Sequence, residues 1–451
     1  MSTCSDRYLI RNARIVKPTR IVDGDIILEN GVISYIGKRL DETDHFEVVD
    51  AAGHYVVPGF VDIHCHGGGG FDLTSGRYDT KKECFDEDTA QYQDSLEELM
   101  GIMAGNGTTR VMLSTIAAPM ERLEVVLSEL AKYVDGDRNA QSGADLCGAF
   151  IEGTFVRFPE FAGAQNPEYF SEPNTEVFER LNSAASGHIR YVNVVPEYGD
   201  SALELTEYLT ELGVLVGAGH CSCPAEMYDQ AIKKGLRIAV HFTNGPTGSS
   251  FKPFGGGSVL QSVLTSNKVY AELIADGYHI NPAYVMDILH RKGVNRVVAI
   301  TDGFFPAGAK DIGEFVAAGI KGRVSDNGEY LEVVEKDNTL FGSVLNMRVA
   351  FSNWVSWLTR PMRGIWVDEH LPLETDEAVL MASRLCSINP AKVMGILEPV
   401  SRHLGEKLED YVGSLEVGKR ADVVILKLNG TEGEYKAEVN SVFVKGKHVV
   451  G

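Results

Sequence analysis

Two histidines separated by one residue, His64 and His66, lie where an apolar segment meets a run of glycines. The preceding residues 55–63 are apolar and rich in β-branched side chains, which predicts a buried strand. Because side chains alternate along a strand, both imidazoles face the same side, where they can bind one metal ion. Residues 67–70 are glycines that let the chain turn and leave room for a ligand. A strand with two histidines and no metal is the alternative, which the rest of the chain must decide.

Acidic and imidazole side chains recur directly after other apolar runs. They are Glu152, His220, His241 and Asp302. Any single one could be a buried polar residue with a structural hydrogen bond. Together with His64 and His66 they are six His, Glu or Asp residues at five strand ends, which indicates one shared site. Imidazole and carboxylate ligands suit a divalent metal such as zinc or iron.

The order of the apolar runs predicts an architecture that brings these residues together. Eight strand-like segments alternate with helix-like stretches, at residues 55–63, 110–113, 146–151, 189–195, 214–219, 238–240, 271–274 and 297–300. Alternation of this kind predicts a parallel α/β sheet, and eight repeats predict a TIM-like (β/α)8 barrel. The carboxyl ends of all barrel strands lie at one face, where active sites form.

Both ends of the chain differ from this middle part. The first ~55 and the last ~40 residues contain short strands separated by turn residues such as Asn30-Gly31. We therefore expect a small β-sandwich domain built from both termini. In this interpretation residues 1–57 and 396–451 form that domain, and residues 58–395 form the barrel.

Composition excludes several classes of partner. The net charge of −21, from 42 basic and 63 acidic residues, provides little to replace phosphate counterions, so no nucleic-acid partner is expected. Seven cysteines, an odd number, predict no disulfide framework. The polar start around Arg7 predicts no signal peptide, and no apolar run reaches the ~20 residues of a membrane span. We expect a cytoplasmic protein that does not associate with membranes.

The motifs around these residues resemble the amidohydrolase superfamily and, within it, the N-acetylglucosamine-6-phosphate deacetylase family. The segments that carry the resemblance cover nearly the whole chain, at 58–67, 151–153, 219–220, 241–244, 274–279, 301–303, 306–308, 387–391 and 413–422. Glu152 and the segment Ala275-Asp276-Gly277-Tyr278-His279 point to the deacetylase branch, since many other amidohydrolases use a carboxylated lysine instead of Glu152. The resemblance implies hydrolysis of an N-acetylated amino sugar phosphate, first of all N-acetylglucosamine 6-phosphate.

The resemblance also implies a role for each site residue. The implied metal ligands are Glu152, His220 and His241 for a first ion and His64, His66 and Asp302 for a second, with Glu152 as a bridge. One or two ions, zinc or iron, are therefore expected, and each would lower the pKa of a bound water from about 15.7 to about 7. Asp302 would accept the proton of that water and donate it to the leaving amine. We also expect a homodimer.

The substrate side departs from the family pattern. Thr154 stands where proline is usual, and Gln165 replaces a histidine that is expected to polarise the substrate carbonyl. Gln165 can donate a hydrogen bond, but never as a cation. The arginine expected to bind phosphate is missing, and Lys252 stands there, either as a point charge for phosphate or as a solvated surface residue. The expected substrate-binding residues are Gln165, Asn244, Gly245, Lys252 and His279.

Two alternatives stay open at this point. The substrate-side departures are compatible with another amidohydrolase reaction, on a cyclic amide or an N-acyl amino acid. A non-catalytic scaffold on the same fold is the other alternative, and the six retained ligand residues disfavour it. Metal analysis combined with a panel of substrates distinguishes these possibilities.

Overall fold

The structure is a computed structural model that describes residues 7–41, 44–244, 257–334, 336, 339–398 and 408–451. The strands are β1 (Arg7–Val16), β2 (Ile21–Glu29), β3 (Val32–Gly37), β4 (Glu47–Asp50), β5 (Tyr55–Pro58), β6 (Phe60–Cys65), β7 (Gly67–Gly68), β8 (Phe71–Asp72), β9 (Gly76–Asp79), β10 (Cys84–Asp86), β11 (Thr108–Thr115), β12 (Asp145–Phe155), β13 (Ile189–Val194), β14 (Leu215–Ala218), β15 (Ile238–Ala239), β16 (Tyr270–Ile274), β17 (Val297–Ile300), β18 (Glu314–Ala317), β19 (Ile320–Val324), β20 (Leu331–Val333), β21 (Val423–Thr431), β22 (Glu434–Val444) and β23 (Lys447–Val450). The helices are α1 (Tyr92–Gly105), α2 (Met120–Val134), α3 (Thr175–Ala184), α4 (Asp200–Glu211), α5 (Ala225–Lys234), α6 (Val259–Thr265), α7 (Pro282–Lys292), α8 (Met347–Leu358), α9 (Thr375–Ser383) and α10 (Asn389–Val393). Within the described ranges, none of these helices has both the length and the apolar composition needed to span a bilayer.

Eight parallel strands form the centre of the molecule. Their order is β6-β11-β12-β13-β14-β15-β16-β17, so that neighbours along the chain are neighbours in the sheet. The first and last strands also meet, because the backbone N–H of Asp302 donates to the carbonyl of His64 and that of His66 donates to Gly303, each at 2.8 Å. Helices α1 to α7 connect consecutive strands, and α8 follows the last one. This is the predicted TIM-like (β/α)8 barrel.

The barrel is held together by apolar packing on both faces of its strands. Every residue of β6 and β17 is buried, as expected for strands covered by helices outside and by packed side chains inside. On α2 the side chains of Leu123, Leu127 and Leu130 are buried at spacings of four and three residues. Such spacing places an apolar stripe of the helix against the sheet.

The two ends of the chain form a separate sheet domain, as the sequence predicted. Its strand order is β23-β22-β21-β5-β1-β2-β3, with β4 paired to β1. Antiparallel pairing of β5 with β21, in which Val57 lies opposite Val424, joins the N-terminal and C-terminal parts. Buried side chains such as Ile10, Val56 and Phe443 form its core.

Two small antiparallel sheets extend from the face at which the barrel strands end. One contains β7 to β10 and follows β6, and the other contains β18 to β20 and follows β17. Aromatic rings connect the segments that carry them, with Tyr78 and Phe305 at 4.9 Å between centroids and Phe304 and Phe341 at 5.0 Å. These sheets were not predicted from the sequence, and the sheet of β18 to β20 forms part of the wall of the cavity described next.

Candidate active site

A cavity of about 1040 Å³ opens at the face where the barrel strands end. Five of the six predicted ligand residues line it, and the sixth, His64, lies within 3.6 Å of two of them. All six side chains belong to residues that are at most 7% exposed. They form two groups of three whose ligand atoms lie within 4.8 Å of one another, namely Glu152, His220 and His241, and His64, His66 and Asp302. The structure therefore brings together the residues that the sequence predicted.

In the first group two imidazoles face one carboxylate oxygen. The Nε2 atoms of His220 and His241 lie 3.2 and 2.9 Å from Oε1 of Glu152, and 3.1 Å from each other. Their Nδ1 atoms lie 2.9 Å from the backbone carbonyls of Phe161 and Asn244, to which they can donate. These backbone contacts leave Nε2 of each ring as the nitrogen available to a metal ion.

In the second group two imidazoles face Asp302. Oδ1 of Asp302 lies 3.4 Å from Nε2 of His64 and 3.2 Å from Nε2 of His66. The other carboxylate, Glu152, approaches the same rings, with Oε1 3.6 Å from His64 Nε2 and Oε2 3.3 Å from His66 Nε2. Glu152 consequently lies between the two groups, as a bridging ligand would.

The donor set of both groups fits a divalent metal ion. Nε2 of His64, which faces Asp302 and Glu152, is buried and has no hydrogen-bond partner within the described part of the chain. A buried polar atom without a partner is rare in proteins and points to an unseen water or ion. Imidazole nitrogen and carboxylate oxygen in groups of three are the ligands of catalytic zinc and of related divalent metals.

The electrostatics of the site also favour a cation. Burial opposes ionisation of Glu152, but hydrogen bonds from His220, His241 and His66 outweigh it and hold the pKa of Glu152 well below its ordinary value. Burial likewise opposes ionisation of Asp302, whose pKa is nevertheless lowered by His64 and His66.

The imidazoles respond in the opposite direction. Burial alone would lower the pKa of His66, but hydrogen bonds to Asp302 and Glu152 raise that pKa to about 10. Glu152 in the same way overcomes burial and raises the pKa of His241 to about 9. Without a metal ion the two carboxylates therefore draw protons onto these rings, and a bound cation would replace those protons.

Glu272 was not predicted as a site residue. It is fully buried on β16, and its Oε2 lies 3.1 Å from Nδ1 of His64 and accepts the backbone N–H of His241 at 2.9 Å. The hydroxyl of Tyr191 donates to Oε1 at 3.0 Å. Glu272 thus contacts one residue of each group, and it orients the His64 ring. The available signal was an acidic residue in the middle of an apolar strand.

The predicted substrate-binding residues have different positions. Gln165, Asn244 and His279 line the cavity, whereas Gly245 and Lys252 lie outside the described residues. Nδ1 of His279 lies 2.6 Å from Oδ2 of Asp276, which orients the ring. The cavity is also lined by two cationic residues that were not predicted, Arg323 and Lys336. Thr154, at the position where the family has proline, is buried.

Three of the six site residues have a left-handed backbone conformation. Their φ angles are 56° at His220, 29° at His241 and 49° at Asp302. Each of them follows the end of a barrel strand by two residues, where the chain turns away from the sheet. At Asp302 the turn is held on both sides, since its N–H donates to His64 and its carbonyl accepts the N–H of Ser343 at 2.8 Å.

Residues 55–449, which make up most of the chain, match the Amidohydrolase family. The chain therefore belongs to the amidohydrolase family and is a hydrolase of amide C–N bonds. It is 26% identical over 431 residues to N-acetylglucosamine-6-phosphate deacetylase of Bacillus subtilis (strain 168), which covers 94% of this chain and 93% of the relative. It is 27% identical over 404 residues to N-acetylgalactosamine-6-phosphate deacetylase of Escherichia coli O157:H7, which covers 90% of each.

Solved structures show the same fold. N-acetylglucosamine-6-phosphate deacetylase from Pasteurella multocida aligns with a TM-score of 0.78 at 22% identity, over 99% of this chain and 100% of that one. The enzyme of the same name from Mycobacterium smegmatis aligns with a TM-score of 0.77 at 23% identity, over 98% and 100%. The barrel and the terminal sheet domain are thus shared along the full length of the chain.

Proposed function

We propose that this protein is a metal-dependent deacetylase that hydrolyses the N-acetyl group of an amino sugar phosphate. Its proposed substrate is N-acetylglucosamine 6-phosphate, and its products are glucosamine 6-phosphate and acetate. The observation that carries the proposal is the convergence of four imidazoles on Glu152 in the cavity, two of which also face Asp302. Similarity over 94% of the chain to a relative named as this deacetylase supports the substrate.

Glu152, His220 and His241 would hold one divalent ion, zinc or iron, and His64, His66 and Asp302 would hold a second one. When bound, such an ion polarises an amide carbonyl and lowers the pKa of water. Glu272 and the carbonyls of Phe161 and Asn244 orient the imidazoles from behind. Such outer contacts keep the metal-facing nitrogens in place.

Asp302 is the proposed catalytic acid and base. Its lowered pKa keeps the carboxylate ionised, so that it can accept a proton from the water that attacks the acetyl carbon. It then donates this proton to the amide nitrogen, and the C–N bond breaks to release the amine. The nitrogen must be protonated because an unprotonated amine is a poor leaving group.

Asn244, Gly245, Lys252 and His279 are the proposed contacts for the sugar and its phosphate. His279 and Asn244 line the cavity, which supports their part of the proposal. Arg323 and Lys336 add positive charge to the cavity wall of a chain whose net charge is −21. Arg323 pairs with Glu332 of the same wall at 2.9 Å, so the proposed attraction for an anionic substrate comes mainly from Lys336.

A second candidate substrate is N-acetylgalactosamine 6-phosphate. The 27% identity to a relative named for this substrate favours it. The two sugars differ only in the configuration at C4, so the same metal site and the same Asp302 serve both reactions.

Acetate release tests the proposal. The protein is assayed with zinc or iron, and again after chelation, on both 6-phosphate sugars, their unphosphorylated forms, an N-acyl amino acid and a cyclic amide. We expect metal-dependent acetate release that is fastest with one of the two phosphorylated sugars. Full activity after chelation contradicts the metal dependence, and preference for the cyclic amide or the amino acid contradicts the substrate.

The metal content of a double variant tests the second site. Replacing His64 and His66 by Ala should lower the number of ions bound per chain, because two of its three ligands are lost. Unchanged stoichiometry together with unchanged turnover would show that this pair has only a structural role.

A further inference from the structure

We propose that Gln165 is a positioning residue that holds Glu152 in the orientation required to face both candidate metal sites. This role replaces the contact with the substrate carbonyl that the sequence predicts for Gln165. The inference rests on the metal dependence proposed above, and the experiment below separates the two.

The contacts of the Gln165 amide carry the inference. Its Nε2 donates to Oε2 of Glu152 at 2.6 Å, and its Oε1 accepts the backbone N–H of Ala117 at 2.7 Å. Gln165 is only 4% exposed. Because a backbone N–H can only donate, the oxygen of the amide must face Ala117, and the NH₂ group must face the carboxylate. Both polar atoms of the side chain are therefore engaged by the protein itself.

Gly153 provides a second and independent observation. A Cβ atom at this position would lie 2.3 Å from Oε1 of Gln165 and 2.4 Å from the backbone nitrogen of Ala117, far inside contact distance. The absence of a side chain next to Glu152 thus leaves space for the Gln165 amide. Gly153, Ala117 and Gln165 therefore pack directly against one another behind Glu152.

The loop that carries Gln165 also orients the first group. The carbonyl of Phe161, four residues earlier, accepts from Nδ1 of His220. One loop therefore positions two of the three residues that would bind the first ion. These contacts orient the residues proposed to bind the metal ion. A loop whose role was only to cover the substrate would not need them.

Holding Glu152 has a specific consequence for the metal sites. Rotation of a terminal carboxylate is soft, so Glu152 could otherwise turn both oxygens away from the imidazoles. Oε1 faces His220 and His241, and Oε2, which Gln165 holds, faces His66 at 3.3 Å. A neutral amide holds the carboxylate without competing for a cation, since its NH₂ group has no lone pair to offer.

The test measures metal affinity and steady-state kinetics of the full chain. In Gln165→Met the side chain keeps its length and loses the donor, and in Gln165→Asn the amide is one methylene too short to span from Ala117 to Glu152. We expect zinc affinity, measured by competition with a chelator, to fall about 10–100-fold in both variants. We also expect kcat to fall while KM for the amino sugar phosphate stays within twofold. Thermal unfolding confirms that each variant is folded.

Glu160→Gln is the matched control, because Glu160 lies in the same loop, lines the cavity and is exposed. It should leave zinc affinity unchanged. Wild-type zinc affinity in both Gln165 variants, with KM raised, would overturn the inference and return Gln165 to the substrate. If the wild-type protein itself bound no divalent metal, the proposed metal dependence would fail first, and the inference would fail with it.

Discussion

Strand β12 carries a buried carboxylate near each of its ends, and the two have different surroundings. Asp145, at the start of the strand, accepts from Nη1 of Arg420 at 2.6 Å and lies 3.2 Å from Nζ of Lys445. Arg420 also donates from Nε to Asp422 at 3.0 Å. Among the described residues, the carboxylate of Glu152, seven residues later on the same strand, is contacted by imidazoles and an amide rather than by arginine or lysine.

The partner that balances a buried carboxylate distinguishes a structural role from a functional one. An arginine cannot lose its proton in a protein, so the charge of Asp145 is permanently balanced and the cluster joins the barrel to the terminal sheet domain. Imidazoles are neutral or charged according to their surroundings, so the charge of Glu152 is balanced only when protons or a metal ion are bound. The end of the barrel that contains the candidate site is therefore the one at which the cation balancing the buried carboxylate can be exchanged.

The largest effect is expected from Asp302→Asn. The amide has the same shape but cannot accept the proton of water, so kcat should fall by roughly 10²–10⁴-fold. Folding should be preserved, and much of the metal should still bind through the other ligands. Steady-state kinetics with metal analysis and thermal unfolding measure the three properties. A near-normal kcat would refute the role of Asp302.

Arg420→Ala should instead affect stability. It leaves Asp422 buried without its arginine partner and leaves Asp145 with Arg110 and Lys445 alone, which we expect to lower the free energy of unfolding by about 3–5 kcal/mol. Zinc affinity of the folded protein should stay unchanged. Arg180→Ala is the control, because Arg180 pairs with Glu124 at the surface at 2.6 Å and should contribute under ~1 kcal/mol. If urea unfolding showed the same loss of unfolding free energy in both variants, the stabilising role given to Arg420 would be contradicted.

Lys252→Ala tests the proposal that Lys252 recognises the charge of the substrate. Loss of one ammonium group should raise KM for the 6-phosphate sugar by the equivalent of about 1.5–3 kcal/mol, with kcat nearly unchanged. The unphosphorylated sugar should show no such change. Lys268→Ala, at an exposed position, serves as the control. An equal rise in KM for both sugars would show that Lys252 does not bind the phosphate group.

The smallest effect concerns pH at the structural end. Burial opposes ionisation of Asp145, but Arg420, Arg110 and Lys445 lower its pKa from 3.8 to about 2. A lowered pKa contributes stability that is complete above pH ~4 and is lost as the pH falls through 2. The difference in unfolding free energy between the wild type and Asp145→Asn should therefore shrink by about 2 kcal/mol between pH 5 and pH 2. A constant difference in urea unfolding would contradict the assignment.

The sequence allowed the barrel and the convergence of six residues at its end to be predicted, because both depend on local patterns. Glu152, His220 and Asp302 could be found since each follows an apolar run, and the topology of a barrel brings such ends together. The role of Glu272 could not be predicted, because it depends on contacts with His64 and with Tyr191 across the barrel. The partners of Gln165 depend on the conformation of a loop, for which the sequence has no periodic signal.

The left-handed conformations of His220, His241 and Asp302 have a consequence for how this protein can change. A non-glycine residue in this region costs of order 1–3 kcal/mol, which glycine would avoid, and asparagine tolerates the region better than most residues. Activity and thermal resistance are therefore opposed at these positions. Libraries screened for heat resistance alone should accumulate glycine or asparagine at 220, 241 and 302, and the resulting proteins would be robust but unable to hydrolyse their substrate.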